Sequence, residues 1–234
     1  MIQTRIIERE WLDELPPDDL RAIRSRHDLR RINGIMGHVG FFERTLRASI
    51  KRHSPRRIVE MGTGDGTLLL KLAQHLAPHW PGVEVTLLDL HPVVSAETTK
   101  ALSALGWKPR IEAADVFDWA ARDGSVDVVI ANLFLHHFQN EPLSRLFHHI
   151  SKRTRVLIAC EPRRDIVALG ASQLVGLIGC NDVTRHDAVI SVHAGFRDRE
   201  ISQLWPSQAG WKLDESKAGL FSHGFVASRA QEPA

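Results

Sequence analysis

The chain has 234 residues, 43% of them hydrophobic, enough for one well-buried core. Thirty Lys and Arg against 28 Asp and Glu leave a net charge of +2 with neutral histidines, which makes neither nucleic acid nor a membrane surface the default partner. Two cysteines, Cys160 and Cys180, exclude a disulfide framework and a CxxC metal knot and agree with a reducing, cytoplasmic setting.

The first residues, "MIQTRIIEREWLDEL", carry charges every few positions, unlike the apolar core of a signal peptide. After "PPDD", where Asp18 or Asp19 can cap a helix, Leu20, Ile23, His27, Ile32, Met36, Val39, Phe42, Leu46 and Ile50 recur at helical spacing. Residues 1–54 are thus expected to form a helical N-terminal cap, broken or bent around "NGIMGHVG". Asn33, Met36 and His38 in that bend suit either closure of a pocket or a plain kink. The basic excess is local: Arg21, Arg24, Arg26, Arg30, Arg31, Arg47, Lys51, Arg52, Arg56 and Arg57 crowd this quarter, which reads first as a solvated helical face.

From Pro55 the pattern changes. "RRIVEM", "VEVTLLDL", "PRIEAAD", "VDVVIANLFL" and "TRVLIACE" are nearly continuous in apolar residues, as strands buried on both faces are. Between them "GTLLLKLAQHLAP", "HPVVSAETTKALSALG", "VFDWAARDG" and "QNEPLSRLFHHISKR" read as helices, and strict alternation means a parallel sheet with crossovers. "DREISQLWPSQ" predicts a helix started by Asp198 and stopped by Pro206. "GWKLDESKAGLFSHGFVASRA" predicts two strands with a tight connection, the last entering the sheet antiparallel. The expectation is one α/β core over 55–234, Rossmann-like and doubly wound, with seven mostly parallel strands. A segment at about 163–195 is surplus to that core and is expected above the carboxyl ends of the strands, where open α/β sheets bind ligands. Its uncharged run, "IVALGASQLVGLIGC", falls short of the ~20 residues that span a bilayer. It suits either a face against a second copy, making a homodimer, or the wall of a pocket for an aromatic or acyl group.

"VEMGTGDGT" places Gly62, Gly64 and Gly66 directly behind the first strand, where a loop and a helix start expose backbone N–H groups. The spacing is G-x-G-x-G with no following lysine, neither the dinucleotide fingerprint nor a P-loop. Glu60 and Asp65 beside the loop would repel a pyrophosphate and suit an ammonium or a sulfonium.

This stretch resembles the first motif of the class I S-adenosylmethionine-dependent methyltransferases, and the later motifs follow in order over about Arg56 to Glu161. The resemblance implies that Glu60, Gly62, Thr63, Gly64 and Gly66 hold S-adenosylmethionine together with Asp89 and Leu90 after "LLDL", Asp115 and Val116 in "EAADVFDW", and Asn132 in "VDVVIANLFLHHF". In that family the Asp89 position accepts from the ribose hydroxyls and the Asp115 position meets the adenine amino group. Read from the residues alone, Asp89 and Asp115 also suit plain helix capping.

"ANLFLHHF" lacks the Asn/Asp-Pro-Pro-aromatic cluster of amide- and base-nitrogen methyltransferases, and Cys160 in "ACEP" lacks the Pro-Cys setting of cytosine-carbon enzymes. "FLHHF" resembles instead the ubiquinone and menaquinone type of small-molecule methyltransferases. That implies methyl transfer to an oxygen or carbon of a small aromatic or polyketide-like acceptor. His137 or His136 can take the acceptor's proton, or merely orient the next helix. Arg163, His186 and His193 in the surplus segment, with Arg164 and Arg185 nearby, are candidates to hold a carboxylate or phenolate. No His/Cys/carboxylate set has metal-ligand spacing, so no metal is expected. Two rivals stand beside this reading: an RNA methyltransferase using the basic first quarter, and a non-catalytic module that keeps the cofactor fold.

Overall fold

Seven strands form a single sheet in a computed structural model that describes residues 4–16, 18–50, 54–207 and 210–230. Lys51 and Arg52 of the basic group, and the first three residues, lie outside those described. The strands are β1 (Arg57–Met61), β2 (Glu84–Asp89), β3 (Lys108–Ala113), β4 (Val126–Asn132), β5 (Thr154–Pro162), β6 (Trp211–Lys217) and β7 (Ser222–Arg229). Their order is β3-β2-β1-β4-β5-β7-β6, and β7 alone runs against its two neighbours. The order reverses beside β1, so the carboxyl ends of β1, β2 and β4 open onto one crevice.

Period-two alternation gives each central strand two apolar faces. Ile58, Val85, Leu87, Val128, Ile130, Val156 and Ile158 pack on one side with α3 (His38–Ser49), α4 (Thr67–Leu76) and α5 (Ala96–Ala104). Val59, Met61, Leu88, Val129, Ala131, Leu157, Ala159, Phe225 and Ala227 pack on the other with α6 (Val116–Ala121), α7 (Asn140–Arg153) and α10 (Glu200–Leu204). The strands expected to be buried on both faces are so, with one exception. β3 is largely exposed, because it is an edge strand with a neighbour on one side only.

The remaining elements cover the carboxyl ends. After an irregular stretch over 4–10 come α1 (Trp11–Glu14) and α2 (Leu20–Met36), which Asp19 caps through the Arg21 N–H. Gly37, left-handed at φ 72°, ends α2 and turns the chain into α3, the break expected near "NGIMGH". The segment after β5 folds as α8 (Ile166–Gln173), a 3₁₀ turn (Val175–Ile178) and α9 (Asp182–Ala194). α9 packs against α1, α2 and β5. The helix expected from Asp198 is only α10; Asp198 is left-handed at φ 52° and Arg199 holds the N-cap. β4 also stops earlier than the apolar run suggests: Leu133 turns left-handed at φ 53°, and a 3₁₀ turn (Leu135–His137) follows. No helix among the described residues is long and apolar enough to cross a membrane.

Candidate functional site

On the β1–β2 side the site is built from a loop whose left-handed backbone favours glycine. Gly62, Gly64 and Gly66 adopt φ of 68°, 53° and 74°, and a Cβ on Gly62 would lie 2.3 Å from the Phe134 ring. Gly62 and Thr63 donate their N–H groups to the Leu88 carbonyl at 2.9 and 3.1 Å, which binds the loop to the end of β2. Gly64 donates to Asp89 Oδ2 at 2.9 Å, and His91 donates to Asp89 Oδ1 at 2.9 Å. No atom stands within 4 Å of a Cβ built on Gly64, so this part of the loop faces open space.

Glu60 lies beneath the loop, 2% exposed, and Thr63 Oγ1 donates to its Oε2 at 2.7 Å. Burial pushes the Glu60 carboxyl up to about 8, against the pull of the Thr63 hydrogen bond. Asp65, the other carboxylate noted beside the loop, is already engaged. It accepts from the Thr67 N–H at 3.0 Å and pairs with Arg30 of α2 at 2.8 Å. Leu90 stands exposed after Asp89. Asp115 caps α6 through the Phe117 N–H at 2.7 Å, and Val116 is buried below it. Asn132 ends β4 near His38, whose Nε2 meets Ser222 Oγ at 2.9 Å. Asn132 Oδ1 and His38 Nδ1 are nevertheless buried without a hydrogen-bond partner. Burial lowers His38 to about 4.

On the β4–β5 side the chain comes together from distant places. Glu161, fully buried on β5, accepts from the N–H groups of Phe134, Leu135 and His136 at 3.2, 2.9 and 3.3 Å and fixes the 3₁₀ turn. Its Oε2 also meets His136 Nδ1 at 2.8 Å, while Glu10 Oε1 faces His136 Nε2 at 3.4 Å. Burial disfavours the charged ring, but the two carboxylates outweigh it and raise His136 to about 9. Both its ring nitrogens thus face carboxylates. His137 is half-buried, its ring centroid 4.2 Å from that of His136, with Asp13 at 3.7 Å; burial and the neighbouring His136 lower it to about 4.

An N-terminal strap holds this side closed. Arg5 donates to the carbonyls of Ala194, His136 and Phe138 and to Asn140 Oδ1, and its guanidinium covers the Phe196 ring at 4.0 Å. Ser191 Oγ donates to Glu10, and Asp187 accepts from the N–H groups of Trp11 and Leu12 at 2.9 and 3.0 Å. No sequence signal gives Glu10, Arg5 or Glu161 a role: Glu161 reads only as the end of "TRVLIACE", and "IIEREW" carries nothing beyond scattered charge.

The residues expected to hold an acceptor divide. Arg163 is buried and paired with Asp165, with the Gly219 carbonyl at 3.4 Å. His186 stacks on Trp11 at 3.8 Å with Nδ1 3.0 Å from Asp187. His193 belongs to the α9 stretch that receives the strap: its carbonyl accepts from the Ile6 N–H at 3.2 Å, and its Nδ1 is buried without a partner. Cys160 is fully buried in β5 and its thiol is pushed up by burial, which leaves no thiolate nucleophile there.

Residues 58–156 match the family described as Methyltransferase domain. The trans-aconitate 2-methyltransferase of Mycolicibacterium gilvum is 35% identical over 97 residues, 42% of this chain and 34% of that protein, so the match spans about a third of the relative's length. Among solved structures, the plantazolicin methyltransferase BpumL in complex with SAH has a TM-score of 0.66 at 14% identity, with 91% of each chain covered. The magnesium protoporphyrin IX methyltransferase of Synechocystis PCC 6803 with bound SAM has a TM-score of 0.53 at 17% identity, covering 94% of this chain and 88% of that one. At these identities the structural likeness is one of fold.

Proposed function

We propose, from the match of residues 58–156 to the Methyltransferase domain family and from the strand order of the sheet, a transfer of methyl from S-adenosylmethionine to an oxygen or carbon of a small aromatic or polyketide-like acceptor. One observation carries this reading: a buried carboxyl, Glu60, under an open glycine loop, in a place where phosphate binders keep their surroundings free of negative charge. Bound there, the cofactor would supply an electrophilic methyl on a sulfonium. Its cationic methionine end fits Glu60, and Asn132, at the end of β4, offers its side-chain amide to the cofactor's polar groups. Asp89, with both oxygens steadied by backbone N–H groups, keeps lone pairs to accept from a ribose. Asp115 caps α6 and has an exposed carboxylate left for an adenine amino group. On this reading His137, on the turn leaving β4, takes an acceptor's proton, while His136 beside it, held between Glu10 and Glu161, orients that turn.

The match to a trans-aconitate 2-methyltransferase supports a small acceptor. The RNA alternative loses ground: Arg21, Arg30 and Arg47 of the basic quarter pair with Asp19, Asp65 and Glu43. Calorimetry with S-adenosylmethionine and S-adenosylhomocysteine, with a nicotinamide dinucleotide as control, tests the donor site. Tight binding of the first two alone is expected, and binding of the dinucleotide instead would overturn it. Release of S-adenosylhomocysteine in the presence of candidate phenols separates an enzyme from a non-catalytic module.

A further inference from the structure

We propose that Glu10, His136 and His137 form a binding site for a divalent first-row transition ion. One ligand atom from each lies within 4.8 Å of the other two, in a fold that carries Glu10 126 residues to reach His136. The two adjacent histidines share one space because the chain turns as a 3₁₀ helix. With metal–ligand bonds of about 2.0–2.1 Å in a tetrahedral shell, ligand atoms lie about 3.3 Å from one another. His136 Nε2 and Glu10 Oε1 already stand 3.4 Å apart, and the widest separation in the cluster has to close by at most about 1.5 Å.

The surroundings are those of a built site. Glu161 accepts at His136 Nδ1, which directs Nε2 toward Glu10; a carboxylate behind a ligating histidine fixes the ring and strengthens it as a donor. Glu161 is itself held by three backbone N–H groups, and Ser191 Oγ steadies Glu10. Side-chain exposure rises from 3% at His136 through 13% at Glu10 to 26% at His137, so the cluster is closed behind and open on one side. Two imidazoles and one carboxylate suit Zn²⁺, Co²⁺ or Fe²⁺ rather than Mg²⁺ or Ca²⁺, which prefer all-oxygen shells. Three protein ligands leave a position free, as catalytic metal sites do. That this position takes the acceptor's oxygen rests on the methyl-transfer reading above; the ion site itself does not.

The test strips the full chain with a chelator, dialyses it separately against Zn²⁺, Co²⁺ and Mg²⁺, and counts retained metal by mass spectrometry. The visible absorption of bound Co²⁺ reports its ligands. About one equivalent of Zn²⁺ or Co²⁺ and no retained Mg²⁺ is expected, with affinity at least about tenfold weaker in Glu10→Gln and in His137→Ala. Circular dichroism identifies variants that keep their fold, and His137, being half-buried, is the more tolerant position. Retention below about a tenth of an equivalent, or binding undiminished in both folded variants, overturns the proposal and leaves Glu10–His136–Glu161 as an ionic clasp alone. Calorimetry with S-adenosylmethionine on the metal-loaded protein separates the two readings: absence of cofactor binding in protein that retains about one equivalent of Zn²⁺ or Co²⁺ removes the methyl-transfer reading only.

Discussion

The two halves of the crevice are assembled in different ways. The β1–β2 half is local: a glycine loop, the Leu88 carbonyl that receives it and Asp89 all lie within some thirty residues of Glu60. The β4–β5 half joins a strap at residues 4–16, a turn after β4, the end of β5 and the α9 helix. The first half is the proposed cofactor surface, held mainly by backbone hydrogen bonds of a short stretch of chain. The second is a fold element whose polar groups are buried and mutually dependent.

Breaking the second half should have the largest effect. Glu161→Ala leaves His136 and three backbone N–H groups without their acceptor, and is expected to lower unfolding stability by about 3–5 kcal/mol in urea titration. A loss below about 1 kcal/mol would mean the turn is held by other contacts. Gly62→Ala joins the halves, since its Cβ would enter the Phe134 ring and its φ of 68° is strained for alanine. About 1–3 kcal/mol of stability and at least tenfold in cofactor affinity should be lost, read by unfolding and calorimetry. Asp89→Ala should separate the halves, weakening S-adenosylmethionine by about 1.5–3 kcal/mol while costing about 1 kcal/mol in stability.

A subtler comparison uses the Glu60 proton. Its carboxyl titrates near 4.5 when unfolded and is raised to about 8 in the native protein. Between those values the native state holds a proton that the unfolded state has lost, so this group's contribution is full below about 4.5 and falls as pH rises toward 8. A bound ammonium favours the carboxylate, so S-adenosylmethionine binding near pH 7 should release a fraction of a proton. Calorimetry in buffers of different ionisation enthalpy measures it, and proton uptake would contradict the assignment. The smallest effect is expected from Arg30→Ala, which removes an exposed pair with Asp65: within about 1 kcal/mol of stability.

Legibility in the sequence follows the same division. β1, β2, β4 and β5, the glycine loop and the reversed β7 declare themselves through apolar runs, glycines and turn spacing, because each is decided by neighbours in the chain. β3 was overrated as a buried strand, since nothing in "PRIEAAD" states that it will be an edge. Asp115 serves as the cap that capping chemistry alone suggests. In the β4–β5 half only His136 and His137 are legible. Their partners Glu10 and Glu161 lie 126 and 25 residues away, and a carboxylate that will be buried looks, in one sequence, like any other charge.

The place of β7 has a bearing on how the chain matures. β5 finds its outer neighbour only in residues 222–229, so during synthesis its edge stays open until those residues have left the ribosome. A nascent chain halted before that point would carry an apolar strand edge ready to pair with another copy. Premature termination should therefore yield aggregates rather than a smaller working protein.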